Sequence, residues 1–207
     1  MPQATSDKIL ARIYGKGRGQ SFTPKDFQDL ASPENVRAVL SRLVAGGTIR
    51  RLRRGVYDYP EHSALLDAPA SPDPDAMARA IARTHGWTIL PEGQTALNLL
   101  GLSTQVPAHW QYFSDGPSRE VAWTGGTLVF RHRANRETTR LSPRTALLVQ
   151  ALKALGAAQV DAAVLSRLRA AFSAPELARA LREARYVTAW VYEILKRLAA
   201  AAEAPHA

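Results

Sequence analysis

From Pro33 to Ala45 the apolar residues fall at Val36, Val39, Leu40, Leu43 and Val44, the three-and-four spacing of one helix face. Glu34, Arg37, Ala38, Ser41 and Arg42 fill the other side with small or charged groups. The pattern predicts an amphipathic helix with one exposed face. Ser32-Pro33 marks its start, pairing a capping hydroxyl with a proline whose missing N–H is no loss in a first turn. Gly46-Gly47 marks its end, where a left-handed residue can close the last turn. Thr23-Pro24 gives the same start signal to a shorter helix, with Phe27 and Leu30 inward. Ser6 to Tyr14 predicts a helix before both, buried through Ile9, Leu10 and Ile13. After Gly47 the period falls to two. Thr48 to Leu52 and Val56 to Tyr59 read as strands, Arg53-Arg54-Gly55 as the turn between them, and Ser21-Phe22 as a short strand joining the hairpin. Three helices followed by a basic hairpin predict a winged helix-turn-helix over residues 1–60.

Beyond Tyr59 the pattern breaks. Residues 60–75 hold four prolines among small and acidic residues, which predicts a linker or crossing segment over 61–75. Asp73-Pro74 then opens a helix to His85, closed by Gly86. Trp87 to Leu90 reads as a strand and Glu92 to Leu100 as a helix. Trp110–Phe113, Arg119–Trp123 and Thr127–His132 alternate with period two, separated by Asp115-Gly116-Pro117 and Gly125-Gly126, and predict an antiparallel meander. The remainder is helical. Ser142-Pro143 opens a helix to Leu155, with Leu141, Leu148, Leu152 and Leu155 as its stripe, and Val160 to Phe172 forms another. Ser173 with Glu176 forms a capping box for a helix to about Arg185, and Val187 to Ala202 forms the last. The alanine-rich end, Ala199 to Ala207, is expected to fray. The expected fold is α+β: a winged helix-turn-helix followed by a larger mixed α/β domain over 76–207, with a meander and a helical C-terminus.

Charge sharpens the picture. The chain carries +9 overall, but residues 1–60 hold 11 Lys/Arg against 5 Asp/Glu, while 61–207 hold 16 against 13. The excess therefore sits on the predicted DNA-binding segment and favours a polyanionic partner. Four arginines, Arg50, Arg51, Arg53 and Arg54, fall within five residues of the hairpin, placed to meet phosphates. Lys16 and Arg18, in a glycine-rich loop without P-loop spacing, and Thr23 and Lys25, at the start of the short helix, complete the candidate DNA contacts with Arg37, Ser41 and Arg42. Helix-turn-helix units also serve as packing modules, and a basic hairpin can be a solvated sheet edge.

Other chemistry is sparse. There is no cysteine, which excludes disulfides and cysteine-ligated zinc. The five histidines make no metal-binding spacing, and no nucleophile elbow is present. Asp73 and Asp75 suit helix capping better than a metal. The chain is expected to need no cofactor and not to be an enzyme. No apolar run approaches the ~18 residues of a membrane span, and Met1 to Asp7 lacks an apolar signal region, so a cytoplasmic protein is expected.

Four stretches carry a family likeness: GRGQSFTPKDFQDL (17–30), VLSRLVAGGTIRRLRRGVYDYP (39–60), SPDPDAMARAIAR (71–83) and NLLGLSTQVPAHWQYFSDGPSR (98–119). In these the chain, over about residues 6–200, resembles the AbiEi family of antitoxins and transcriptional regulators of bacterial toxin–antitoxin and abortive-infection operons. The resemblance implies a winged helix that binds inverted repeats in its own promoter and represses it. It also implies a C-terminal domain that counteracts a nucleotidyltransferase-type toxin, without a stable complex being required. On this basis Arg37, Ser41 and Arg42 match recognition-helix positions, and Arg50, Arg51, Arg53 and Arg54 match the wing. The alternative is a small-molecule-responsive regulator without a toxin partner, its pocket lined by Trp87, Trp110 and Tyr112. An enzyme acting on nucleic acid is a third reading.

Overall fold

The computed structural model describes residues 5–65, 67–133 and 141–203, and the fold is α+β. The chain divides into two compact units, Met1–Trp87 with Ala122–Thr127, and Thr88–Val121 with Leu128–Ala207. None of the described helices is long and apolar enough to cross a membrane.

The first unit begins with α1 (Thr5–Lys16), β1 (Ser21–Phe22), a 3-10 turn (Pro24–Phe27) and α2 (Pro33–Ala45). The predicted short helix is therefore a single 3-10 turn. Pro33 keeps the segment from running on into α2, because the residue before a proline is driven out of the helical region, and Ser32 sits at φ −59°, ψ 153°. The hairpin follows as β2 (Arg50–Arg53) and β3 (Val56–Asp58). Strand order is β1-β3-β2, with both pairings antiparallel. Ser21 and Arg50 both lie opposite Asp58, and the β2 register shifts between Arg51 and Arg53. Ile9, Ile13, Phe22, Phe27, Val36, Val39, Leu40, Ile49 and Tyr57 form the core beneath this sheet. Phe22 meets Phe27 edge to face, ring centres 5.5 Å apart. The arrangement is compatible with a winged helix-turn-helix.

The segment after Tyr59 is more than a linker. It makes a two-stranded hairpin, β4 (His62–Ser63) with β5 (Ala68–Pro69). It then leads into α3 (Pro74–His85), capped by the Asp73 carboxylate on the Asp75 N–H and closed by left-handed Gly86. The sequence reading begins the second domain at residue 76 and so puts nearly all of α3 in it, whereas its contacts place it in the first unit. Ala76, Met77, Ala78, Ala80, Ile81 and Ala82 are buried, and the four alanines let α3 pack against β1 and β3. Arg83 donates to the Ser21 carbonyl (3.1 Å) and Thr84 to the Thr23 hydroxyl (2.8 Å).

The second unit holds β6 (Ile89–Pro91), α4 (Gly93–Leu99), β7 (His109–Ser114) and most of β8 (Arg119–Trp123) and β9 (Gly126–His132), whose hairpin tip, Ala122–Thr127, belongs to the first unit. The order in its sheet is β6-β7-β9-β8. The predicted meander is thus corrected: β9 enters between β7 and β8. Tyr112 stacks on Phe130, and the Arg133 N–H donates to the Ser114 carbonyl (2.8 Å), which joins the C-terminal ends of β7 and β9. Helices α5 (Pro143–Leu155), α6 (Ala162–Ala171), α7 (Ala174–Glu183) and α8 (Ala189–Glu203) follow. Helix α5 is buried over Thr145–Val149 and at Ala151 and Leu152, well beyond the single stripe expected, because it forms the centre of the helical layer. Leu165, Leu168, Leu177, Ile194, Leu195 and Leu198 close around it. Ala204–Ala207, the end of the stretch expected to fray, lies outside the described residues.

Candidate nucleic-acid interface

Helix α2 is held by its inward stripe and by its ends. The Ser32 hydroxyl accepts the Asn35 N–H (3.4 Å), and Gly47 at φ +71° takes the left-handed conformation that turns the chain into β2. With Val36, Val39 and Leu40 buried, Glu34, Arg37, Ala38, Ser41 and Arg42 are exposed. Arg37 makes only a loose ion pair with Glu34, 3.8 Å apart, with both side chains largely in solvent.

The wing turns on Gly55, whose φ of +80° would strain any side-chain-bearing residue. Arg51 and Arg54 are exposed and Arg53 is half-buried. Among the described residues, the guanidinium groups of Arg42, Arg51, Arg53 and Arg54 have no hydrogen-bond or ion-pair partner in the protein. Their charge is not neutralised internally.

Arg50 is a correction. Its guanidinium binds the Asp58 carboxylate in a fork, Nε–Oδ1 3.1 Å and Nη2–Oδ2 2.7 Å, and donates to the Ala70 carbonyl. Asp58 is only 1% exposed. Arg50 therefore neutralises a buried carboxylate, and its geometry is fixed by the fold. Thr23 is a second correction. It is 3% exposed, its N–H donates to Asp26 (2.8 Å), and its hydroxyl lies between Asp26 and Thr84. It is a capping residue with no surface to offer DNA.

The remaining candidates are exposed but engaged. Lys16 pairs with Asp26 at 3.4 Å. Arg18 donates to the Pro60 carbonyl (2.8 Å) and lies 4.4 Å over the Tyr59 ring, which fixes the glycine-rich loop. Lys25 donates to the Thr84 carbonyl (2.8 Å). Asp26 gathers Lys16, Arg83 and the Thr23 cap around one carboxylate. Nearby, Arg12 grips Asp29 through both guanidinium nitrogens; the hydrogen bond lowers the Asp29 pKa and raises that of Arg12.

A polar cavity of about 510 Å³ lies between the 3-10 turn and the end of α3, walled by Thr23, Lys25, Asp26, Arg83, Thr84 and His85. Its two walls are some sixty positions apart in the chain, and no local signal announces it. Of Trp87, Trp110 and Tyr112, expected to line an aromatic pocket, two have ring partners. Tyr112 is wholly buried against Phe130, and Trp87 stacks on His85 in the first unit. Among the described residues no three His, Asp or Glu side chains are grouped to hold a metal.

No curated protein matches the sequence. Among solved structures, the chain is similar to the crystal structure of RV2827C protein from Mycobacterium tuberculosis, at 15% identity and a TM-score of 0.42, over 98% of this chain and 78% of that one. Residues 8–176 match a family of unknown function, DUF6088, and the chain belongs to that family.

Proposed function

We propose that the protein is a DNA-binding repressor of its own promoter that also acts as an antitoxin. The observation that carries the DNA-binding half is the set of uncompensated guanidinium groups, Arg42, Arg51, Arg53 and Arg54, in one small unit with the exposed, small-and-basic face of α2. Uncompensated arginines at such a density repel one another in the free protein, and a duplex backbone relieves that cost while releasing its counterions. The antitoxin half rests on the resemblance to AbiEi proteins, with a nucleotidyltransferase-type toxin as the functional partner and the cytoplasm as the site of action.

Gel-shift titration against the upstream region of its own gene, with excess random competitor, tests the first half. Specific retardation is expected. Retention no better than for random duplex rejects the repressor reading. Co-expression with a neighbouring nucleotidyltransferase gene tests the second half: growth is expected to recover, and persistent arrest rejects it.

A further inference from the structure

The exposed face of α2 carries a single carboxylate, and its position gives it a task. At about 100° of rotation per residue, Glu34, Ala38, Ser41 and Ala45 run along the middle of the face opposite Val36, Val39 and Leu40. Arg37 and Arg42 fall on either side of that line, and all six residues are exposed. When a helix lies in a major groove, the middle of its outer face meets base edges and its flanks meet the phosphate walls. The N-terminal residues of a recognition helix are the ones that reach the bases. Ala38, Ser41 and Ala45 are small enough to allow close approach. Glu34, in the first turn, is the one long side chain on the line.

Within the protein Glu34 complements the helix dipole from the first turn of α2, a modest contribution that any acid there would make. Its pair with Arg37 spans 3.8 Å, with the two side chains 76% and 66% exposed, and a surface pair of that kind is worth little. Facing a polyanion, a carboxylate is repelled unless it finds a donor. The major groove offers exocyclic amino groups, on cytosine N4 and adenine N6. Adenine presents a donor beside an acceptor and is matched by an amide, which does both. A carboxylate only accepts, and so matches the cytosine N4 amino group.

We propose, resting on the DNA-binding reading above, that Glu34 is a specificity-determining residue that reads a cytosine in the bound site. Arg37 and Arg42 then take the phosphates that flank it, Arg37 leaving its loose pair with Glu34 as it does so. The carboxylate also penalises every duplex that lacks an amino group at that position, which adds discrimination by repulsion to discrimination by attraction.

Duplexes recovered from a randomised pool by the full-length wild type, E34Q and E34A test this. The recovered site is then titrated beside a copy whose cytosine is replaced by thymine, which exchanges the amino donor for a carbonyl acceptor. Wild-type affinity is expected to fall roughly tenfold or more on that exchange. E34A is expected to lose the preference at that one position and E34Q to move it towards adenine, and both variants to keep the others. Circular dichroism of both variants should be unchanged, since the side chain is exposed. Variants that recover the same cytosine, or that bind all duplexes more tightly by one common factor, overturn the inference and leave the repressor reading standing. A wild type that selects adenine there overturns the cytosine assignment. A wild type that selects no sequence overturns the repressor reading and this inference with it.

Discussion

Arg50 and Arg51 are neighbours in one strand, and the alternation of the strand sends them to different fates. Arg50 lies across from Asp58 and forks onto its buried carboxylate. Arg51 lies across from Tyr57 and is exposed. Removing one partner of a buried pair leaves the other charge desolvated and unpaired, which is far costlier than losing a surface charge. Arg50→Ala is therefore expected to lower stability by about 3 kcal/mol. Arg51→Ala is expected to stay within about 0.5 kcal/mol of wild type. Chemical denaturation of the two variants checks this, and equal midpoints would mean that water reaches Asp58 and compensates it. The distinction matters for any mutational map of DNA binding, since Arg50→Ala would weaken binding through the fold. All four hairpin arginines look equivalent as a run of letters. Only the register, set by β3, separates the one that faces a carboxylate from those that face solvent.

At the scale of elements, local chemistry fixed the helix boundaries and left the long-range pairings open. Ser32-Pro33, Asp73-Pro74, Ser142-Pro143 and the Ser173/Glu176 box each mark a helix start found in the structure, because a capping side chain or a first-turn proline acts on the backbone beside it. Strand order has no such local signature. Nothing between Asp115 and Gly126 announces that β9 will enter beside β7, and nothing in Asp73–Gly86 shows which unit will receive α3. One cap also reaches across elements. Glu176 accepts the Ser173 N–H (2.8 Å) and hydroxyl (3.0 Å), and also the Arg144 Nε of α5 (2.8 Å). Arg144 further donates to the Ala171 carbonyl and lies 4.1 Å over the Phe172 ring, so α5 is clamped to the junction of α6 and α7. The Arg144 hydrogen bond, with those from Ser173, holds the Glu176 pKa down at about 2, from an ordinary 4.5. A carboxylate whose pKa is lowered by folding contributes stability that is full above the unfolded pKa and lost as pH falls through the folded one. Glu176→Gln is expected to cost about 1 kcal/mol at neutral pH, the typical worth of a cap. The gap from wild type should shrink as pH falls from about 4.5 towards about 2, and a gap constant across that range would show that shape and not charge holds the junction.

For the whole molecule the informative quantity is where the charge sits. With 11 basic against 5 acidic residues in the first sixty, and Asp26, Asp29 and Asp58 already engaged, the charge left over in this segment is strongly positive. Asp26, Asp29 and Asp58 are bound by Lys16, Arg83, Arg12 and Arg50, which leaves α2 and the wing without an internal counter-charge beyond the Glu34–Arg37 contact. The sequence was enough to place this excess, since charge counting needs no fold. It could not sort Thr23 and Arg50 out of the candidate surface, since burial is decided by elements that arrive later in the chain: Thr84 of α3 for the one, Asp58 and Ala70 for the other. The wing arginines that remain define a test at this scale. If Arg53 and Arg54 meet phosphates, each neutralises about one charge and releases about 0.9 of a counterion. Arg53→Ala with Arg54→Ala should then weaken binding to specific and random duplexes by a similar factor, and should reduce the steepness of log K against log salt by about 2. A loss confined to the specific site would instead place these arginines against base edges. An unchanged slope would take the wing off the DNA altogether, leaving α2 as the surface that carries the contact.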